Sequence, residues 1–361
     1  MGITQTGALF TPRLEIDLAK VQHNSAQLVA RLKARGLTVT GVTKATLGDP
    51  GIARAMLLGG VHSIGDSRIE NLKKMRQAGI DAEFILLRSP QINRVEEVVE
   101  FADISLNSEL EVIRLLSEAA VRQQRSHRVL LMIELGDLRE GISLSDIDEV
   151  FAQCLQLPNI HIEGIGTNLT CVSGVKPDDI NMGLLSETAA ALQARFDISL
   201  TTVSGGNSSS INWLNDTKSR GLINNLRLGE SILQGCETLN RQLIPGLFEN
   251  AFSLVAEVIE SKLKPSVPEG DIAQNAFGEI PTFTQKGPIQ RSIINIGHQD
   301  TLIDGIIPSN SDVEIIAASS DHLVLDSSRN PLAVGAQVRF RLNYGALLAA
   351  MTSPYIQKVF I

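Results

Sequence analysis

The residues with chemistry to offer fall where apolar runs end. "TVTGVTK" (38–44) is an alternating, β-branched run that closes on Lys44. Asp66, Ser67 and Arg68 follow a second such run, Arg139 and Glu140 a fifth, and Asn168 a sixth. "SGGNSSS" (204–210) follows a seventh run and "LRLGES" (226–231) an eighth. A lysine amine condenses with carbonyl carbons when its surroundings let it lose a proton. Small residues running into a helix start expose backbone N–H groups to an anion, and the helix dipole adds to them. An amine on the first run and an anion site on the last two describe one ligand, an aldehyde with an anionic tail. Pyridoxal phosphate has that shape and chemistry. Each residue also has a plainer use. A lysine at a strand end meets water, the glycines of "SGGN" make a tight turn, Arg139 and Arg227 form rim ion pairs, and Asn168 satisfies loop backbone. Six polar clusters at one predicted face favour the site.

That face exists only if the runs are strands of one closed sheet. An amphipathic helix comes first, with Asp17 as its cap and Leu18, Val21, Leu28 and Leu32 at helical spacing until Gly36. From "TVTGVTK" the chain then alternates strand and helix eight times, ending near residue 236. The strands are apolar along most of their length, as parallel strands covered on both faces must be. The pattern predicts a (β/α)8 TIM barrel over residues 12–243, whose active site sits at the C-terminal ends of its strands. A doubly wound sheet shares the alternation. From "AFSLVAEVIESKL" onward, short alternating runs such as "RSIINIGHQD" and "DVEIIAASSDHLVLD" are separated by Pro, Gly, Asp and Asn. Residues 244–361, with 1–11, are expected to form a smaller antiparallel β-domain without helices.

The bulk properties exclude several classes. The 361 residues are 43% hydrophobic and 20% charged, with a formal charge of −8. That balance argues against a nucleic-acid surface. No apolar run approaches the roughly 18 residues that span a bilayer, and "MGITQTGALFTPR" lacks the basic start and apolar core of a signal peptide. Gly2 and Thr6 match the loose myristoylation pattern, which is short enough to arise by chance. Cys154, Cys171 and Cys236 lie far apart and form no CxxC pair, so neither a disulfide framework nor a metal site is expected. A cytoplasmic protein with reduced thiols follows as the expectation.

"GVTKATLGDP", "GDSRIEN", "LGDLREG" and "ASSDHLVLD" together resemble the fold-type III, pyridoxal-phosphate-dependent alanine racemase family, in its ornithine and alanine/ornithine branch. The resemblance runs from "PRLEIDL" to "LNYGALLAAMTSPY". It implies a barrel joined to a β-domain, a head-to-tail homodimer with active sites at the subunit interface, and racemisation of an amino acid. Ornithine is the implied substrate, with lysine, alanine and serine as others. By position, Lys44 matches the Schiff-base lysine and Arg227 the arginine on the pyridine nitrogen. Asn207, Ser208, Gly229 and Glu230 match the phosphate-binding set, Tyr344 a tyrosine on the phosphate, and Arg139 the arginine beside the phenolic oxygen. "HQD" (298–300) falls where the family's second domain reaches the partner's substrate site.

Two positions depart from the family. Asn168 stands where a histidine usually faces the cofactor ring, and Phe277 in "NAFGEIP" stands where a tyrosine serves as second base. A phenyl ring carries no transferable proton. His298 is then the expected second base, because an imidazole suits proton transfer in both directions; Asp300 and a bound water are its rivals. A cationic substrate side chain calls for a carboxylate, with Asp137 and Glu279 as candidates. The same scaffold also suits a pyridoxal-dependent aldolase, dehydratase or decarboxylase, since fold does not fix reaction. A cofactor-binding protein without turnover is a further reading.

Overall fold

A computed structural model describes residues 10–361. The Gly2 and Thr6 pattern lies outside the described residues. The chain divides into two compact units, one of residues 18–249 and one that joins the segment up to residue 17 to residues 250–361.

The chain enters through β1 (Arg13–Ile16) and α1 (Leu18–Lys33). Eight strand-helix units follow. They are β2 (Thr38–Val42) and α2 (Pro50–Leu58), β3 (Ser63–Asp66) and α3 (Ile69–Gln77), β4 (Glu83–Leu86) and α4 (Val95–Phe101), β5 (Ile104–Asn107) and α5 (Leu110–Arg122). The second half comprises β6 (His127–Ile133) and α6 (Ile147–Cys154), β7 (Ile160–Thr167) and α7 (Asp179–Phe196), β8 (Thr202–Ser204) and α8 (Ser210–Asp216), β9 (Asn225–Leu228) and α9 (Glu230–Gln234). Strands β2 to β9 are parallel and close on themselves, with Thr40 of β2 paired to Arg227 of β9. The (β/α)8 barrel expected from the alternation is therefore present, and closure settles the matter against an open doubly wound sheet.

Local sequence explains the starts. Asp49 accepts hydrogen bonds from the N–H groups of Gly51 and Ile52, and Pro50 occupies the first helical position of α2, where a missing N–H costs nothing. Asp178 and Asn181 cap α7 reciprocally. The barrel is unevenly polar. Strands β4 to β6 supply an apolar cluster of Ile85, Ile104, Leu106, Leu130 and Met132. The opposite arc carries a buried hydrogen-bond chain, from Arg227 to Ser204 (2.6 Å), on to Asn225 (2.7 Å), then Thr40 (3.1 Å) and Ser63 (2.8 Å).

The second unit is an antiparallel sheet ordered β12-β15-β10-β11-β14-β13. Its strands are β10 (Phe252–Pro265), β11 (Pro288–Ile294), β12 (Ile306–Pro308), β13 (Glu314–Ala318), β14 (Leu323–Asp326), β15 (Gln337–Leu342) and β16 (Gln357–Phe360). Two features differ from expectation. A helix, α10 (Tyr344–Thr352), interrupts the strands; Asn343 caps it by accepting from Ala346 N–H, and its Ala and Leu residues favour helix. The strand β1 pairs with β10 and β16, so residues 12–17, expected in the barrel, belong to this unit. Residues 244–249 stay with the barrel, where both amide atoms of Asn24 on α1 bond the backbone of Phe248. Among the described residues no helix is long and apolar enough to cross a membrane.

Candidate active site

Lys44 follows β2 by two residues and opens one turn of 3-10 helix, Lys44–Thr46. The side chain is exposed, and among the described residues its ammonium has no ion pair and no hydrogen bond. The turn is fixed from behind: Thr43 N–H donates to Gly65 O (3.0 Å) and Thr43 O accepts from Thr46 N–H (2.9 Å). The backbone is held, and the amine is left free.

Arg227 lies across the closure of the barrel and is buried. Its two terminal nitrogens donate to Ser204 Oγ (2.6 Å) and to Thr167 O (2.8 Å), both neutral oxygens. Burial without a carboxylate pulls the guanidinium down to about 10, still protonated at neutral pH. Such a cation is costly unless something in the mouth completes it.

A second chain of hydrogen bonds ties the loops after β6, β7 and β8. Arg139 is paired with Glu140, which holds the guanidinium above its ordinary value, and approaches Asp137 at 3.9 Å. Asp137 is buried and accepts from Asn168 Nδ2 (3.1 Å), Val172 N–H (3.0 Å) and Ser173 N–H (3.4 Å). Asn168 Oδ1 in turn accepts from Asn207 Nδ2 at 3.1 Å. Asp137 thus organises two loops, and its oxygens are committed to that task rather than open to a substrate ammonium.

The loops expected to hold an anion follow β8 and β9. Gly206 adopts φ of +99°, a turn that an L side chain rarely makes, so glycine here is more than filler. Asn207 Oδ1 accepts from Ser209 N–H (2.8 Å), and Ser208 Oγ meets Ser231 Oγ at 3.0 Å. Ser209 Oγ is buried and has no hydrogen-bond partner among the described residues. Gly229 precedes α9 with no side chain capping it, and Glu230 pairs with Arg241. A free amine, a buried guanidinium without an anion and hydroxyl-lined helix starts form a donor set that fits pyridoxal phosphate.

In the β-domain, His298 is exposed and its ring packs on Phe277, centroids 4.3 Å apart. Phe277 is held there by Asn275, whose Oδ1 accepts from Phe277 N–H (2.9 Å) and Glu279 N–H (3.0 Å). Asp300 is buried, and its carboxylate accepts from Gly297 N–H at 2.9 Å, so it shapes the turn that presents His298. Burial pushes that carboxyl upward. Glu279 is exposed and bonded to Asn275. Tyr344 is the first residue of α10. Among the described residues no cluster of metal-ligating side chains occurs.

Sequence reasoning missed the supports. Ser204 and Thr167 aim Arg227, and Ser231 meets Ser208. Ser204 stood inside a quoted string, but partners 23 residues apart, such as Ser208 and Ser231, leave no local signal.

Comparisons with known proteins bear on family and fold. Residues 16–235 match the model of the alanine racemase N-terminal domain. The chain is 40% identical over 350 residues to an ornithine racemase of Acetoanaerobium sticklandii, covering 96% of this chain and 99% of the relative. It is 38% identical over 350 residues to a lysine racemase of Thermotoga maritima, covering 97% and 98%. Among solved structures, alanine racemase from E. faecalis superposes with a TM-score of 0.74 at 18% identity, over 97% of this chain and 98% of that one. D-threonine aldolase from Filomicrobium marinum gives 0.73 at 17% identity, over 95% and 88%.

Proposed function

As a member of the alanine racemase family, this chain is an amino-acid racemase, and we propose that it acts on ornithine or lysine with bound pyridoxal phosphate. The observation that carries this reading is an unpartnered Lys44 amine after β2 together with a buried Arg227 on β9, the strand paired with β2, in a barrel of the family's type. The full-length likeness to relatives named for two basic amino acids supports the substrate class. Bound cofactor supplies a conjugated sink for the electron pair left at Cα when its proton departs.

The chain's own residues do the rest. Lys44 Nζ takes the Cα proton on its face and returns one in the reverse direction. Arg227 would donate to the ring nitrogen and, since guanidinium keeps its proton, would leave that nitrogen unprotonated. Electron withdrawal would thereby be moderated, which would disfavour transamination. Asn207, Ser208, Gly229 and Glu230 would hold the phosphate, and Arg139 and Asn168 would face the ring. His298 of a second copy serves the other face in a head-to-tail homodimer, with Asp300 keeping its turn in shape. Phe277 orients the imidazole without competing for the proton. Work in the cytoplasm suits the three reduced thiols.

The test is Cα proton exchange in heavy water, run on both enantiomers of ornithine, lysine, alanine and serine. Ornithine or lysine should exchange from either enantiomer and lose optical rotation without a new product. His298→Ala should keep bound cofactor and lose exchange from one enantiomer only; unchanged racemisation removes His298 from the mechanism. The fold is shared with a D-threonine aldolase, so release of an aldehyde, ammonia or carbon dioxide in place of racemisation would assign a different reaction.

A further inference from the structure

We infer that Asp66 and Thr43 form a brace that positions Lys44 for capture of the cofactor's aldehyde; the inference rests on the function proposed above. Asp66 is the last residue of β3 and is fully buried. Its Oδ2 accepts from Thr43 Oγ1 at 2.8 Å, and its Oδ1 accepts from Arg68 N–H at 3.0 Å and Asn71 Nδ2 at 2.9 Å. Among the described residues it has no ion pair. Burial pushes its carboxyl upward in spite of these donors.

Thr43, also fully buried, is the pivot. Its side chain is held by Asp66 and its N–H by Gly65 O, while its carbonyl accepts from Thr46 N–H (2.9 Å), Thr46 Oγ1 (2.9 Å) and Gly48 N–H (3.3 Å). The exit from the turn is fixed by the same neighbour. Gly48 has φ of +57°, and a Cβ there would lie 2.6 Å from Asn71 Cβ and 3.1 Å from its backbone, so only glycine lets Asn71 close on the turn. Lys74 Nζ donates to Leu47 O at 3.3 Å. The strings "GVTKATLGD" and "GDSRIENLKK" therefore lock together around one lysine.

A fully buried carboxylate that meets only neutral donors adds little that an apolar side chain of similar size would not. As a mere cap for the loop before α3 it would need only Arg68 N–H and Asn71. The bond to Thr43 goes further, to the residue before the nucleophile. A lysine stem has several free torsions, so its amine is placed only as well as its Cα is.

The experiment compares wild type, Thr43→Val, Thr43→Ser and Asp66→Asn as full-length chains. Cofactor is removed and pyridoxal phosphate added back. Covalent capture by Lys44, with loss of one water, is timed by borohydride fixation and peptide mass. Binding of deoxypyridoxine phosphate, which has a methyl group in place of the aldehyde, reports the phosphate and ring contacts alone. Thr43→Val should slow both capture and kcat by about tenfold to a hundredfold, the scale of a small misplacement of a reacting group. Its affinity for the deoxy analogue and its KM should stay near wild type, and Thr43→Ser should restore capture. Asp66→Asn should act in the same direction. Capture at the wild-type rate in Thr43→Val, failure of serine to rescue, or parallel loss of the deoxy analogue would overturn the brace while leaving the proposed function standing. A wild-type chain that never carries the label on Lys44 would overturn both.

Discussion

The two ends of the barrel treat several of their charges differently. Around the N-terminal ends of the strands, ion pairs recur. Arg128 bridges Glu83 (2.7 Å) and Glu163 (3.3 Å), and Arg76 pairs with Asp103 (2.6 Å). Buried His127 stays neutral there and shares a hydrogen bond with Ser105 at 2.8 Å. Around the C-terminal ends Arg139 is still paired with Glu140 and Glu230 with Arg241, but Lys44 has no partner, Arg227 meets only neutral oxygens and Asp66 only neutral donors. The first arrangement answers charge with charge. The second leaves polar groups available to a ligand, the pattern in which perturbed charges cluster at functional sites.

The sharpest way to break this comparison is Lys44→Ala. Racemisation should fall by at least about a thousandfold, roughly 4 kcal/mol of transition-state stabilisation. Stability of the cofactor-free chain should change by no more than about 0.5 kcal/mol, because an exposed side chain without partners is being removed. Steady-state kinetics and chemical denaturation of the same preparation check both halves. A large loss of stability would show that Lys44 is a structural residue.

The second prediction concerns the paired end. His127 is pulled down from 6.5 to about 4, mainly by burial. Its folded form therefore binds a proton later than its unfolded form does. The stabilisation is complete above pH 6.5 and is lost as pH falls toward 4, with no further loss below. The full effect is on the order of 3 kcal/mol. His127→Asn should flatten unfolding free energy against pH within that window; an unchanged slope would mean that other groups carry it.

Much of the mouth was legible because parallel strands covered on both faces must be apolar until they end. Lys44, "SGGNSSS" and "LRLGES" stood out for that reason. What was not legible depends on partners distant in sequence. The four residues of β1 alternate charged with apolar, and only the fold shows Glu15 paired with both Arg13 and Arg339. α10 is apolar on nearly every side, so it carries no helical period to read, and its nine residues follow a strand without a break in composition. Asp137 looked free for a substrate ammonium until Asn168 and the N–H groups of Val172 and Ser173 were seen to occupy it. Asp66 shows the reverse: a polar residue at the predicted face whose use became clear only when Thr43 was found against it.

The smallest expected effect tests whether the ends are truly independent. Arg128 lies at the paired end, a third exposed, and holds two carboxylates of which Glu163 is the more buried. Arg128→Met keeps the aliphatic stem and removes the charge. Solvent screens much of such a pair, and the remaining cost is that of leaving Glu163 unanswered, about 1–2 kcal/mol. Thermal unfolding should shift down by a few degrees, roughly 2–4 °C per kcal/mol for a unit of this size. The same variant should keep kcat and cofactor affinity within about twofold, because well-separated sites without shared partners behave additively. A fall in kcat larger than the fall in stability explains would mean that the paired end reaches the mouth through β6, whose far end leads into the loop of Asp137 and Arg139.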